Sequence, residues 1–246
     1  MRVAALYDIH GNLPALEAVL HDVQQAGVDQ VVVGGDVVPG PMSRETVAAL
    51  LNLDIPAHFI RGNGEHEVLA MLAGVDTGRV PEQFREMIRW VGHELTSEQA
   101  RLLGDWPQTF RLPIPGLGDV LFCHGTPRDD NEVFTRVTPE ERLLPVFAPV
   151  DEAVVICGHT HMQFDRQIGR HRVVNAGSVG APWGTRGRTG SSSAPTSSCG
   201  IRRTMSPRPR RSFVQRTIPW MRSLGPEASY NLPRKRRWSN STRRLH

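Results

Sequence analysis

The chain has 246 residues, 39% of them hydrophobic and 22% charged. This length allows one large domain or two small ones with a substantial core. No run approaches the ~18 apolar residues that a membrane-spanning helix needs, and the N-terminus leads directly into a strand pattern without a signal-type segment. Three cysteines far apart in sequence give no disulfide framework. We therefore expect a cytoplasmic protein without membrane contact.

The charge is divided unevenly along the chain. Residues 1–187 hold 15 basic and 24 acidic residues, a formal charge of −9, whereas residues 188–246 hold 14 basic and one acidic residue, a charge of +13. The second segment is rich in Arg, Ser and Pro and has neither helical nor strand periodicity, which predicts disorder. We therefore predict a domain over 1–187 and an irregular basic tail over 188–246.

Two explanations of the tail remain open. A chain with many arginines and one lysine suggests a GC-rich gene. Such a gene read out of frame gives a composition like that of the tail, so a frameshift near codon 187 is our preferred hypothesis. The alternative is a basic arm that binds nucleic acid through phosphate contacts. Nucleic acid is expected as a partner only through this tail, and the sequence does not reveal the oligomeric state.

The first apolar segment, Val3 to Tyr7, predicts a buried strand and is followed by Asp8, His10 and Gly11. Side chains at positions i and i+2 of a strand point the same way. The carboxylate and the imidazole can therefore aim at one point beyond the strand end, where open α/β sheets bind their ligands.

The next elements predict an α/β order. Asn12 is expected to cap a helix that ends near Gly27. Strands are predicted at 30–33 and 57–60, with a helix between them, and residues 65–104 are expected to be helical. Alternating strands and helices favour a mostly parallel sheet with helices on both faces.

A second group of predicted strands follows. They are Thr109 to Leu112, Asp119 to Cys123, Ala153 to Ile156, Phe164 to Ile168 and Arg172 to Val174. Across both groups, a strand end is repeatedly followed by a metal-type side chain beside a glycine. These side chains are Asp8, His10, Asp36, Asn63, His124, His159 and His161.

Seven oxygen and nitrogen donors are too many for one ion with open positions, and they suit two ions that share a carboxylate. Imidazole and carboxylate without thiolate favour Mn, Fe, Zn, Co or Ni over a structural cysteine-rich zinc site. Two ions about 3.5–4 Å apart clamp the attacking and leaving oxygens of an in-line displacement at phosphorus. The sequence therefore predicts a phosphate ester as substrate.

Five ordered motifs carry a family resemblance. They are Asp8-x-His10, Gly35-Asp36, Gly62-Asn63, His124-Gly125 and Gly158-His159-Thr160-His161. Together they resemble the motif set of the calcineurin-like metallophosphoesterases, and the chain is most similar to the YfcE-type phosphodiesterases over residues 1–187. The resemblance implies a four-layer α/β/β/α sandwich. It also implies one metal held by Asp8, His10, Asp36 and His161, and a second held by Asp36, Asn63, His124 and His159.

The resemblance implies a dinuclear, metal-dependent phosphodiesterase in which a metal-bridging hydroxide attacks phosphorus. Manganese is the expected metal, with Fe, Zn, Ni and Co as alternatives. Asp36 and Asn63 are the expected catalytic residues. The alternatives are a protein phosphatase, a dinucleotide polyphosphate hydrolase of the same superfamily, and a non-catalytic protein-binding scaffold of this fold.

The chain departs from the family at one catalytic position. Many relatives have a histidine directly after the motif asparagine as general acid, and here that residue is Gly64. His66 is a candidate substitute, or else a solvated residue on the first turn of a helix. Asn12 and Arg61 are candidate substrate contacts, or else a helix cap and a solvated charge. Without a general acid, esters with a weakly basic leaving group should be preferred.

Overall fold

The computed structural model describes residues 1–182, so the predicted tail lies outside the described residues. In chain order the elements are β1 (Val3–Leu6), α1 (Leu13–Gln25), β2 (Gln30–Val33), α2 (Ser43–Leu51), β3 (Ala57–Phe59), α3 (Asn63–Leu72), α4 (Glu82–Glu94), α5 (Ser97–Asp105), β4 (Thr109–Ile114), β5 (Gly118–Cys123), α6 (Glu140–Phe147), β6 (Val154–Cys157), β7 (Phe164–Ile168) and β8 (His171–Asn175). Every predicted strand is present, with ends that differ by at most two residues. The short helix α6 was not predicted.

The strands form two sheets. In the first, β1, β2 and β3 are parallel, with Leu6 opposite Val33 and Val33 opposite Phe59. The second has the order β4-β5-β6-β8-β7, in which β5, β6 and β8 are parallel and the two outer strands are antiparallel to their neighbours. The parallel strands of each sheet therefore end at a common edge, where the motif residues follow them.

The two sheets pack face to face. Alternate residues of the strands, including Tyr7 of the loop after β1 and Phe122 and Ile156 of the second sheet, form one apolar cluster between the sheets. The Tyr7 hydroxyl donates a hydrogen bond to the carbonyl oxygen of Ile156 at 3.1 Å. Because successive strand residues point to opposite faces, Leu121 and Cys123 lie on the other side of β5 and pack with α6.

The outer face of the first sheet packs against helices. Leu6 of β1 shares a buried cluster with Leu16 and Val19 of α1 and with Val47 of α2. The layers are therefore helices, first sheet, second sheet and α6, which confirms the predicted four-layer α/β/β/α sandwich. Within residues 1–182, no helix has both the length and the apolar character that crossing a membrane requires.

Candidate metal centre

The predicted ligands converge from both sheets. Asp8 and His10 follow β1, Asp36 follows β2, and His124 follows β5. The remaining ligands are Asn63 at the start of α3 and the pair His159 and His161 after β6. Their potential ligand atoms fall into two groups of three, Asp8 with His10 and His161, and Asp36 with His124 and His159, and in each group these atoms lie within 4.8 Å of one another.

The first group is held by close approaches of three side chains. Nε2 of His10 lies 3.0 Å from Nε2 of His161. Oδ1 of Asp8 lies 3.3 Å from Nε2 of His161 and 3.9 Å from Nε2 of His10. One carboxylate oxygen and two imidazole nitrogens thus surround a common point.

The second group lies directly beside the first. Nε2 of His124 is 3.3 Å from Oδ1 of Asp36 and 3.1 Å from Oδ1 of Asn63. The same nitrogen is 3.8 Å from Oδ1 of Asp8, and Oδ2 of Asp36 is 3.8 Å from Nε2 of His10. Each group therefore contacts a carboxylate of the other, as two neighbouring ions with a shared ligand would require.

Backbone carbonyls fix the tautomer of three histidines. Nδ1 of His10 lies 3.3 Å from the carbonyl oxygen of Pro39. Nδ1 of His124 lies 2.9 Å from that of Gly34, and Nδ1 of His161 lies 3.0 Å from that of Ala181. A carbonyl oxygen only accepts hydrogen bonds, so Nδ1 of each ring carries a proton, and Nε2 of the neutral ring is the nitrogen that can bind a metal ion. The facing Nε2 atoms of His10 and His161 are then two lone pairs 3.0 Å apart, an arrangement that a cation stabilises.

Two buried polar atoms in the centre have no hydrogen-bond partner among the described residues. They are Oδ1 of Asp8 and Nε2 of His159. Burying such atoms without a partner is costly, and coordination to an ion removes the cost. The donor set of imidazoles and carboxylates fits a divalent transition metal. The residues present therefore fit the predicted pair of ions.

The electrostatics of the centre favour a cation. Burial alone would raise the pKa of Asp36, but the charge and hydrogen bond of His124 hold it well below its usual range. Burial alone would lower the pKa of His124, yet Asp36 and then Asp8 raise it to about 10. The carboxylates thus stabilise positive charge at this point, and a divalent ion placed there experiences the same field.

The backbone is strained at the centre. In the described part of the chain, every non-glycine residue with positive φ belongs to the predicted ligand set. These residues are Asp8 (53°), His10 (50°), Asp36 (52°), His159 (66°) and His161 (57°). Such conformations cost free energy and cluster at functional sites, where the surrounding structure holds side chains in a required direction.

Glu65 organises the loop that carries Asp36, a role that the sequence analysis missed. Its carboxylate is buried and accepts hydrogen bonds from four backbone N–H groups, those of Asp36 (2.9 Å), Val37 (2.7 Å), Val38 (3.0 Å) and Gly62 (2.8 Å). Glu65 therefore ties the loop after β2 to the start of α3. The only sequence signal for this role is its position two residues after Asn63.

Gly64 leaves no space for a side chain. Its N–H donates a hydrogen bond to Oδ1 of Asp36 at 2.7 Å. A Cβ at this position would lie 2.1 Å from the carbonyl oxygen of Val38. The departure from the family pattern at this position therefore fits the local packing, since a histidine here would require the backbone to move.

The remaining predicted residues lie around the centre. His66 places Nδ1 3.4 Å from Oδ2 of Asp130, and its side chain is 37% exposed. Asn12 caps α1 by accepting from the N–H of Ala15, and its amide donates to the carbonyl of Gly180. Nη1 of Arg61 lies 3.5 Å from the carbonyl oxygen of Gly104. Catalytic or substrate roles for these three residues stay predictions.

Comparison with known proteins adds the family context. The sequence model of the calcineurin-like phosphoesterase superfamily domain matches residues 1–193. The curated protein MJ0912 of Methanocaldococcus jannaschii, which is uncharacterized, is 27% identical over 164 residues. This match covers 66% of the chain, and it spans only 63% of the relative's own length.

Solved structures also match. The hypothetical protein PH1004 of Pyrococcus horikoshii has 22% identity and a TM-score of 0.64, covering 72% of this chain and 77% of that one. A metallophosphoesterase of Sphaerobacter thermophilus has 26% identity and a TM-score of 0.54, covering 74% and 78%. The E. coli phosphoesterase YfcE has 21% identity and a TM-score of 0.44, covering 76% and 84%.

Proposed function

Because the chain belongs to the calcineurin-like phosphoesterase superfamily, as the five motifs predicted, we propose that it is a dinuclear metal-dependent phosphodiesterase. The observation that carries the proposal is the pair of adjoining ligand groups, each with one carboxylate and two imidazoles. Both groups lie at the common edge of the parallel strands, where α/β sheets place their ligands. Phosphoester hydrolysis is the chemistry of the family, and the diester preference is our own extension.

The proposed ligand sets follow the two groups. Asp8, His10, Asp36 and His161 would hold one ion, and Asp36, Asn63, His124 and His159 the other. When bound, such ions lower the pKa of a coordinated water and neutralise charge on the phosphoryl oxygens. Manganese is the metal we propose for the first experiments.

The protein groups around the ions have separate tasks. The carbonyls of Gly34, Pro39 and Ala181 keep three histidines in the tautomer that presents Nε2. Glu65 holds the Asp36 loop in place through four backbone hydrogen bonds. Asn63 lines the cavity beside the centre, where its amide can orient the phosphate.

The test compares a diester with a monoester. We expect purified protein to hydrolyse bis-p-nitrophenyl phosphate faster than p-nitrophenyl phosphate in Mn²⁺ and to lose this activity in EDTA. Asp36→Asn should abolish turnover, whereas Asp54→Asn, at an exposed carboxylate, should leave it unchanged. Absence of turnover while Mn²⁺ is bound would contradict the proposal and favour a non-catalytic binding scaffold of this fold.

A further inference from the structure

A cavity of about 510 Å³ opens beside the metal centre. His10, Asp36 and Asn63 line one end, and from there it extends between the start of α3 and helix α4. This volume lies within the ~300–1,000 Å³ that small-molecule sites occupy. An ester bound at the metal centre would therefore have room for one of its organic groups in the cavity.

Much of the cavity lining is apolar. Val80, Phe84, Met87 and Ile88 contribute to it, together with prolines at 39, 41 and 81. Phe84 is 45% exposed and Met87 is 39% exposed, so two large apolar side chains face the open space of a cavity rather than the core. An aromatic ring is well matched to such a lining, because aromatic faces stack on phenylalanine and contact methionine sulfur favourably.

The cavity carries little positive charge. Among the described residues that line it, Arg79 is the one arginine or lysine, and its side chain lies 3.5 Å from Oδ1 of Asp130. The backbone N–H of Arg79 also donates a hydrogen bond to the hydroxyl of Thr77. That hydroxyl in turn donates to the buried carboxylate of Glu67. One arginine in a lining that also contains Asp36 and Glu67 suits a single phosphate and does not suit a polyphosphate chain.

The residue at position 64 also favours an aromatic leaving group. No side chain fits at position 64, since a Cβ there would lie 2.1 Å from the carbonyl oxygen of Val38. The leaving oxygen thus has no proton donor at the position where many relatives have a histidine, and His66, the candidate substitute, is not among the residues that line the cavity. Leaving groups that depart without protonation are weakly basic, and among uncharged alcohols these are phenols.

We propose that the cavity binds the leaving group of the substrate, and that this group is a neutral aromatic alcohol of the phenol type. The inference rests on the proposed phosphodiesterase function. In the reaction, the oxygen of water forms a bond to phosphorus as the bond between phosphorus and the aryl oxygen breaks. The attacking water releases one proton to solvent, and the aryl oxygen keeps the bonding electron pair and takes one proton from solvent, which gives a phosphate monoester and a phenol.

A binding experiment tests the cavity without relying on turnover. Phenylphosphonate and methylphosphonate differ in their organic group, and neither is an ester. Calorimetric titration of the manganese-loaded protein should show about tenfold tighter binding of phenylphosphonate. Phe84→Ala should remove this preference, whereas Trp90→Ala, at an exposed aromatic residue of the same helix outside the cavity lining, should keep it.

Two results of this titration would overturn the inference. One is equal or undetectable binding of the two phosphonates by the wild-type protein, and the other is a preference that survives Phe84→Ala. Both can be read whether or not the protein hydrolyses an ester. A failure of the aromatic site is therefore distinguishable from a failure of the proposed activity.

A kinetic experiment identifies which ester group the cavity holds. Methyl p-nitrophenyl phosphate carries an aromatic ring only on its leaving group. Phe84→Ala should lower kcat/KM for this diester about tenfold, as it does for bis-p-nitrophenyl phosphate. If the substitution affects only the bis-aryl ester, the cavity holds the group that stays on phosphorus, and the leaving-group assignment is wrong.

Discussion

The Nε2 atoms of His10 and His161 lie 3.0 Å apart, although the residues are 151 positions apart in the chain. The Nδ1 atom of each ring faces a backbone carbonyl oxygen, so neither Nε2 atom has a proton to donate while both rings are neutral. Two lone pairs at this distance repel each other. The protein thus maintains an arrangement whose energy falls when a cation is shared between the rings.

Metal binding should therefore stabilise the folded protein. We expect saturating Mn²⁺ to raise the melting temperature and EDTA to lower it. A ligand present at a hundred times its dissociation constant adds about 2.7 kcal/mol to the free energy of unfolding. Differential scanning calorimetry of the metal-free and metal-loaded protein measures this difference.

His161→Ala supplies the critical comparison for the metal effect. This substitution removes one nitrogen of the facing pair, and the stabilisation by Mn²⁺ should fall. His21→Ala, at an exposed histidine of α1, should respond to Mn²⁺ like the wild type. An equal Mn²⁺ response in all three proteins would show that the metal binds elsewhere.

Glu65→Gln should destabilise the protein by about 2–3 kcal/mol. Both carboxylate oxygens accept backbone hydrogen bonds, and a glutamine amide would turn two N–H donors toward N–H groups. Urea unfolding measures the loss, with the exposed Glu98→Gln as the matched control. If Glu65→Gln lowers the free energy of unfolding no more than Glu98→Gln does, other contacts hold the loop in position.

Gly64→Ala should destabilise the protein strongly, because the added Cβ would lie 2.1 Å from the carbonyl oxygen of Val38. Gly104→Ala is the matched control, since its nearest neighbour would be Leu69 at 3.9 Å and the residue lies within α5. The control should be neutral or stabilise by up to about 1 kcal/mol. Similar unfolding free energies for the two variants would contradict the packing explanation for glycine at position 64.

The sequence could predict where several candidate ligands lie, because their positions at strand ends depend on local rules. Apolar segments predict strands, and parallel strands end at one sheet edge, so the pattern predicts that Asp8 and Asp36, which follow β1 and β2, lie close together. His124 follows a strand of the other sheet, and its place beside Asp36 was implied by the family resemblance. The capping box that Thr96 and Gln99 form at the start of α5 is local in the same sense, because it depends on two residues three positions apart. The helix α6 was missed because it has only eight residues and Pro145 interrupts its pattern.

Other features depend on contacts between distant segments, which no local pattern encodes. Three of the four backbone donors to Glu65 come from the loop after β2, 27–29 residues earlier. The contact that excludes a side chain at Gly64 involves Val38 of the same loop. Arg79 lies in the connection between α3 and α4 and lines the cavity, where its side chain lies 3.5 Å from Oδ1 of Asp130, 51 residues later in the chain.

The hydrogen bonds of Glu132 should make part of the stability dependent on pH. Its carboxylate accepts from Nε of Arg128 at 2.9 Å and from the hydroxyl of Thr126 at 2.8 Å. The Arg128 hydrogen bond is the main cause that lowers the pKa of Glu132 below its usual range. The unfolded carboxyl therefore binds a proton at higher pH than the folded one. The stabilisation is complete above the unfolded pKa of about 4.5 and is lost as pH falls through the lower folded value.

Urea unfolding at pH 7 and at pH 3.5 measures this contribution in wild type and in Glu132→Gln. On going from pH 7 to pH 3.5, the free energy of unfolding should fall further in the wild type than in Glu132→Gln. The difference should stay below about 1 kcal/mol, because the pair of Arg128 and Glu132 is partly exposed. Glu86→Gln, at another exposed glutamate, controls for the loss of one negative charge. If wild type and Glu132→Gln lose the same stability on acidification, the hydrogen bonds of Glu132 contribute nothing to folding, and the pKa of Glu132 is the same in the folded and the unfolded protein.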